Sequence, residues 1–259
     1  MRFVDAHMHL SDNEYVDCVD DVMADAKNAN VVALVSNSVN FETSIASLKL
    51  AEKYRGTVYA ALGIHPSNVR ALAEGELQKT VELISQQRQN SSVVAVGEVG
   101  LDSKYEGTWN EQLKVFGEML SVAEKLELSV IVHSRGATTQ VIEMLPSYNL
   151  KRILLHWFSY PISILDKALQ NGYYISEGPP AAYSEGIREV IRKTPLTSLL
   201  TETDGPVRYF KQPFKGKRTT PVFIPAVVKA IAEIKCVDVE IAAEQITRNF
   251  EGFFGVKLN

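Results

Sequence analysis

The chain of 259 residues has only two cysteines, five histidines and no apolar run long enough to cross a bilayer. Cys18 and Cys236 lie far apart and form no Cys-x-x-Cys pair, which excludes a disulfide framework and a thiolate metal site. Such a pair is expected as reduced, buried thiols in a cytoplasmic protein. The longest apolar runs, such as VVALV at 31–35, are strand-sized, whereas a spanning helix needs about 20 apolar residues. The opening MRFVDAHMHL is interrupted by charged and polar residues and lacks a secretory h-region. No low-complexity tract or Pro/Ser-rich linker marks a boundary, so one domain over 1–259 is expected. A formal net charge of −4 leaves no excess of Lys and Arg for a broad, sequence-independent nucleic-acid surface. The basic stretch KQPFKGKR at 211–218 is the local exception.

What is present alternates regularly. Strand-like runs occur at 3–7, 31–36, 58–65, 93–100, 129–134, 152–158, 172–177 and 198–204. Helical apolar spacing follows each, at 14–29, 44–54, 76–89, 110–127, 137–148, 163–172, 185–194 and 224–235, and a further helix is predicted over 239–254. Pro146 is expected to close the fifth helix and Gly172 to cap the sixth. Near-continuous apolar strands such as VVALV and RILL suit a parallel sheet buried on both faces. Eight such units in about 250 residues predict an α/β fold, the (β/α)8 TIM barrel, with an extra C-terminal helix. The rival is an open doubly wound sheet, whose nucleotide-binding form wants Gly-x-Gly-x-x-Gly after the first strand. DAHMHL stands there instead.

A lone His-x-His is usually chance on a solvated terminus, but residues i and i+2 of a strand share a face. His7 and His9 would then aim two imidazoles at one point. His65 in GIHP, His133 in VIVHSR and His156 in LLHWF all fall at predicted strand ends, as do Glu98 in VGEVGLD and Asp204 in TETDGP. In a barrel those ends meet at one mouth. Taken singly, each is better explained by packing or a turn, and Asp5 and Asp102 by satisfying backbone donors. Together, so many ionisable groups at one place call for a cation. Imidazole and carboxylate donors suit borderline or hard divalent ions, and four imidazoles with two carboxylates exceed one tetrahedral site. Two ions sharing a bridging carboxylate is the economical arrangement. Ions about 3.5–4 Å apart can clamp a phosphoryl displacement and supply hydroxide from a shared water.

The motifs DAHMHL, GIHP, GEVGLD, VHSRGA, HWFS and TETDGP, in this order, resemble the TatD family of metal-dependent deoxyribonucleases within the amidohydrolase-like barrels. The resemblance runs from Asp5 to the terminal NFEGFF. It implies that His7, His9 and Asp204 bind one metal, that Glu98 bridges, and that His133 and His156 complete the second site. Zinc, manganese or magnesium would serve. Asp204 would also orient or deprotonate the attacking water, making Asp204 and Glu98 the catalytic carboxylates. His65 would contact the substrate phosphate, or else be a supporting structural histidine. Arg135 would pair with a phosphate through its planar fork, or with a neighbouring acid. Lys215, Lys217 and Arg218 in QPFKGKRTTP would steady a DNA backbone, or form a solvated charge run. Glu202 shares a side with Asp204 by strand alternation and would support the ligands.

Two departures stand out. The family's HCFSG is here His156-Trp157-Phe158-Ser159-Tyr160, and its GLDY is Gly100-Leu101-Asp102-Ser103, with Tyr105 two positions on. Trp157 and Tyr160 would stack on a base, narrow the pocket or fill the wall. The expected activity is hydrolysis of DNA or another phosphodiester, from an end. The alternatives are an amide or ester hydrolase of the wider amidohydrolase class and a non-catalytic nucleic-acid-binding barrel.

Overall fold

The computed structural model describes residues 1–87, 89–159 and 161–258. Its first half contains β1 (Phe3–Met8), α1 (Val19–Asn28), β2 (Val31–Asn37), α2 (Phe41–Lys53), β3 (Val58–Leu62), α3 (Glu76–Gln86), β4 (Val93–Gly100) and α4 (Trp109–Leu126). The second contains β5 (Ser129–His133), α5 (Thr138–Met144), β6 (Ile153–Leu155), α6 (Ile162–Gln170), β7 (Tyr174–Glu177), α7 (Glu185–Lys193), β8 (Leu199–Thr201), α8 (Ile224–Lys235) and α9 (Val239–Phe254). The eight strands pair in chain order, β1 through β8, and every pairing from β1–β2 to β7–β8 is parallel. This is the nearly closed TIM-type barrel that the alternation predicts, and α9 is the extra C-terminal helix.

Side chains carry the closure between β8 and β1. Thr201 Oγ1 donates to the Val4 carbonyl at 2.6 Å, and the Asp204 backbone N–H to the His7 carbonyl at 2.9 Å. Asp5 accepts from the Thr203 N–H at 3.0 Å and from Thr203 Oγ1 at 2.6 Å. Its predicted work on backbone donors is thus found, and it ties the last strand to the first. Burial pushes the Asp5 carboxyl up to about 7, against the pull of those hydrogen bonds.

The strands are buried along almost their whole length; all eight residues of β4 are. Near-continuous burial follows from a sheet packed on both faces, and it explains why these runs show no alternation of polar and apolar residues. On the far face α9 buries Phe250, Phe253 and Phe254. Asn249 Nδ2 donates to the carbonyls of Leu196 and Leu199, both at 2.7 Å, which pins α9 beneath β8. No helix among the described residues is long and apolar enough to cross a membrane.

Several sequence expectations need correction, the first being that β3, β6 and β8 end before residues 65, 158 and 204, where the chain leaves the sheet for the mouth loops. α1 begins at Val19 rather than residue 14, because Tyr15 is buried and its hydroxyl donates to the Thr219 carbonyl at 2.6 Å, fixing residues 11–18 as turns. α2 begins three residues early, at Phe41. Asn40 caps it, accepting from the Thr43 N–H at 2.9 Å, while Thr43 Oγ1 accepts from the Asn40 N–H at 3.0 Å. The cysteines are free, as expected, but not buried: Cys236 is exposed at the end of α8, and Cys18 is half-buried just before α1. Both sit at helix ends, where the chain turns at the surface.

Candidate metal centre

The C-terminal ends of the strands bring all five histidines together with Glu98 and Asp204. Glu98 lies at the middle of the cluster, in the last turn of β4 before Gly100. Gly100 has φ of 149°, and a Cβ there would stand 1.9 Å from the His133 carbonyl oxygen. Only glycine lets β4 and β5 approach closely enough to set Glu98 beside His133.

The two oxygens of Glu98 face different partners. Oε2 lies 3.3 Å from His7 Nε2 and 3.2 Å from His9 Nε2. Asp204 Oδ1 faces the same nitrogens, at 3.4 and 3.6 Å. Oε1 lies 2.8 Å from both His133 Nδ1 and His156 Nε2, and 3.4 Å from His65 Nε2. Overlapping sets of donor atoms converge closely enough to hold an ion: His7, His9 and Asp204; His7, Glu98 and His156; His65, Glu98 and His133. The first two share His7 and the last two Glu98, and the two Glu98 oxygens divide the donors into two candidate metal clusters.

Ring nitrogens are donors or acceptors according to what stands behind them. His9 Nδ1 is 3.0 Å from the Asn37 carbonyl, which can only accept, so its Nε2 presents a lone pair to the cluster. His133 Nε2 is 3.0 Å from Asp102 Oδ2, which leaves Nδ1 bare toward Glu98. His156 Nδ1 has Glu202 Oε1 at 3.6 Å, an ion-pair distance that favours the proton on that nitrogen. Acceptors behind His9 and His133, and an acid behind His156, are the arrangement that orients imidazoles as candidate ligands. His65 is the reverse case. Its Nδ1 accepts the Ser67 backbone N–H at 3.0 Å, so a neutral ring carries its proton on Nε2, the nitrogen facing the centre. Burial, reinforced by the imidazoles of His133 and His9 and opposed by Glu98, lowers the His65 pKa.

The electrostatics describe a site built around positive charge. Burial disfavours the Glu98 carboxylate, but His65, His156, His7 and His133 outweigh it and hold the group well below the ordinary carboxylate range. Asp204 is likewise held low, by His7 and His9 against the cost of burial. Burial opposes the charge on His9, yet Asp204 and Glu98 push the ring up to about 10. A divalent ion fits where these protons would otherwise sit. Both His7 nitrogens are buried without a hydrogen-bond partner among the described residues, and Nε2 points at two carboxylates. A buried imidazole left this way is costly, and coordination satisfies it. The residues fit the metals that the sequence implied.

The remaining predicted residues divide. His65 and Arg135 line a cavity of about 580 Å³ above the cluster, together with Ser67, Tyr105, Trp157 and Val207. Arg135 donates from Nε and Nη2 to Asp102 Oδ2, at 3.0 and 2.6 Å, while its side chain stays 53% exposed. The acid-pairing alternative is thus realised, with the guanidinium still reachable from the cavity. Lys215, Lys217 and Arg218 are exposed and do not line it. Arg218 Nη1 lies 2.7 Å from Cys18 Sγ. Glu202 supports His156 as expected, and Ser176 Oγ donates to it at 2.5 Å. Tyr160 lies outside the described residues. Two contributors escaped sequence reasoning: Asn37, through its carbonyl, and Ser67, through its N–H and its hydroxyl, 2.6 Å from His65 Nδ1. Asp102 accepts the Lys104 N–H as expected and, beyond that, orients His133.

A parallel barrel with imidazoles and carboxylates converging at the C-terminal mouth defines a metal-dependent hydrolase. The sequence matches the family described as TatD related DNase over residues 4–255, and the chain belongs to that family. It is 33% identical over 257 residues to the human deoxyribonuclease TATDN3, covering 95% of this chain and 92% of that one. The crystal structure of YJJV, a TatD homologue from Escherichia coli K12, superposes with a TM-score of 0.92 at 29% identity, over 99% of both chains. A β-aspartyl dipeptidase from Fervidobacterium islandicum, at 15% identity and a TM-score of 0.65, covers 98% of this chain and 74% of its own and shares the fold alone.

Proposed function

We propose that the protein hydrolyses phosphodiester bonds in DNA, and that the observation carrying this reading is the division of Glu98 between two sets of donors. His7, His9 and Asp204 would hold one divalent ion and His133 with His156 the second, with Glu98 between them. The imidazole-rich set suits zinc or manganese better than magnesium, which prefers oxygen. Two such ions, when bound, supply Lewis acidity to a phosphoryl oxygen and lower the pKa of water. Asp204 stays ionised, because His7 and His9 hold its carboxyl low, and accepts a proton from the attacking water. His65 donates Nε2–H toward a non-bridging oxygen of the phosphate, where charge accumulates. Of the two His65 readings, a proton on that nitrogen supports the donor to an anion. Arg135, anchored by Asp102, offers its exposed edge to a second phosphate oxygen.

The name of the human relative supports DNA as substrate. Arg135 and the exposed Lys215 and Lys217 support a phosphate-bearing ligand over a neutral amide. The test is hydrolysis by metal-loaded protein of a single-stranded oligonucleotide beside a neutral cyclic amide. Release of nucleotides from an end, lost in Glu98→Ala and Asp204→Ala, is expected. Turnover of the amide alone would favour the amidohydrolase alternative. Inertness of wild type equal to both variants, with DNA still bound, would favour a binding protein.

A further inference from the structure

Trp157 follows His156 directly and lines the cavity. Its backbone has φ of 41°, a left-handed conformation that is strained for a bulky residue and favours Gly or Asn. The indole is also braced from outside. Its ring lies 5.9 Å from that of Tyr209, which is 6.2 Å from Phe214, itself 4.8 Å from Phe223. Tyr209 is locked in turn, its hydroxyl donating to the Thr203 carbonyl at 2.8 Å. These rings form an apolar cluster of their own, and Trp157 packs between it and the main core. Residues after β8 thus serve to hold one aromatic ring at the edge of the metal centre.

The cavity of about 580 Å³ exceeds what a phosphate group alone would occupy and is in the range of small-molecule sites. Trp157 and the neighbouring Val207 give it an apolar wall beside its charged floor. Because His65, Arg135 and Trp157 line one cavity, a ligand whose phosphate sits between His65 and Arg135 has its adjoining group within reach of the indole. We infer that Trp157 is a stacking platform for the nucleobase of the nucleotide whose phosphate occupies the centre. It is therefore a specificity-determining residue that selects nucleotides over base-free phosphate esters. This inference rests on the phosphodiesterase reading.

The chain has two tryptophans, so Trp109→Phe leaves Trp157 as sole reporter. Zinc-loaded Trp109→Phe protein is titrated with dAMP and with deoxyribose 5-phosphate, its counterpart without a base. Saturable quenching by dAMP and none by deoxyribose 5-phosphate is expected. Calorimetry on Trp157→Asn in the wild-type background should reduce the affinity ratio of dAMP to deoxyribose 5-phosphate roughly tenfold. Asn suits the left-handed backbone, so this variant should fold; Trp157→Phe, which keeps a smaller ring, should give an intermediate ratio. Equal responses to both ligands, or a ratio unmoved by Trp157→Asn, overturn the inference and leave Trp157 as wall. Failure of the phosphodiesterase reading shows separately, as absent DNA hydrolysis, and the quenching result still decides the role of Trp157.

Discussion

The Ser67 backbone N–H donates to Nδ1 of His65 at 3.0 Å, and in doing so turns a hydrogen-bond donor rather than a lone pair toward the metal centre. The Ser67 hydroxyl, 2.6 Å from the same nitrogen, can donate there as well, so both groups of Ser67 favour the tautomer with its proton on Nε2. His65→Ala should keep the full complement of ions and lose on the order of 10²–10³ in kcat, the usual effect of removing a donor to a charged transition state. His133→Ala, which removes a lone pair, should lose an ion. Metal analysis beside kinetics separates the two, and an ion lost from His65→Ala would refute the assignment.

Asp102 holds His133 from one side and Arg135 from the other. Asp102→Asn retains the shape but offers an NH₂ group where an acceptor is required. Metal affinity at the second site should fall about 10- to 100-fold, read by chelator competition, while the fold persists. Unchanged affinity would mean that His133 needs no orienting partner.

Lys215 and Lys217 are exposed beyond the cavity. If they follow a single strand, Lys215→Ala/Lys217→Ala should reduce the slope of log affinity against log salt by about 1.4, from ~0.7 per phosphate contact. Arg218→Ala should move it less, since that guanidinium is engaged with Cys18. Fluorescence anisotropy over a salt series measures both, and an unaltered slope assigns the loop to a solvated charge run.

Asn249 offers a test of the fold alone. Its Nδ2 satisfies two backbone carbonyls beneath β8. Asn249→Ala removes both bonds, and although the Leu196 carbonyl keeps the Leu199 N–H, the buried bond to Leu199 is lost at a cost of roughly 1–3 kcal/mol, which denaturant melts should resolve without a change in metal content. A loss of metal would imply that α9 supports the site as well as the barrel.

Much of this was legible in the chain because barrel strands are apolar on both faces and end at a single mouth. β4 matches its predicted span and His133 ends β5 as expected, while His65, His156 and Asp204 lie one to three residues beyond β3, β6 and β8, at the same mouth. Less visible were relationships made by tertiary contact. Nothing local in Tyr15 announces its hydrogen bond to Thr219, which shortens α1. The His65 tautomer depends on a backbone group, and the Arg218 contact with Cys18 joins residues 200 positions apart. Cysteine burial was misjudged because a residue type's average tendency says little at a helix end.

Ions that bind the folded chain alone also stabilise it, by about 2.7 kcal/mol at a hundredfold excess over Kd, so removal of metal should lower Tm. The most direct measurement, however, is stoichiometry. Metal analysis of wild type and Glu98→Gln, with titration calorimetry of the stripped proteins, asks whether one carboxylate joins two ions. The account predicts two ions per wild-type chain and no more than one in Glu98→Gln, with hydrolysis lost. A variant that binds two ions with wild-type affinity would contradict it.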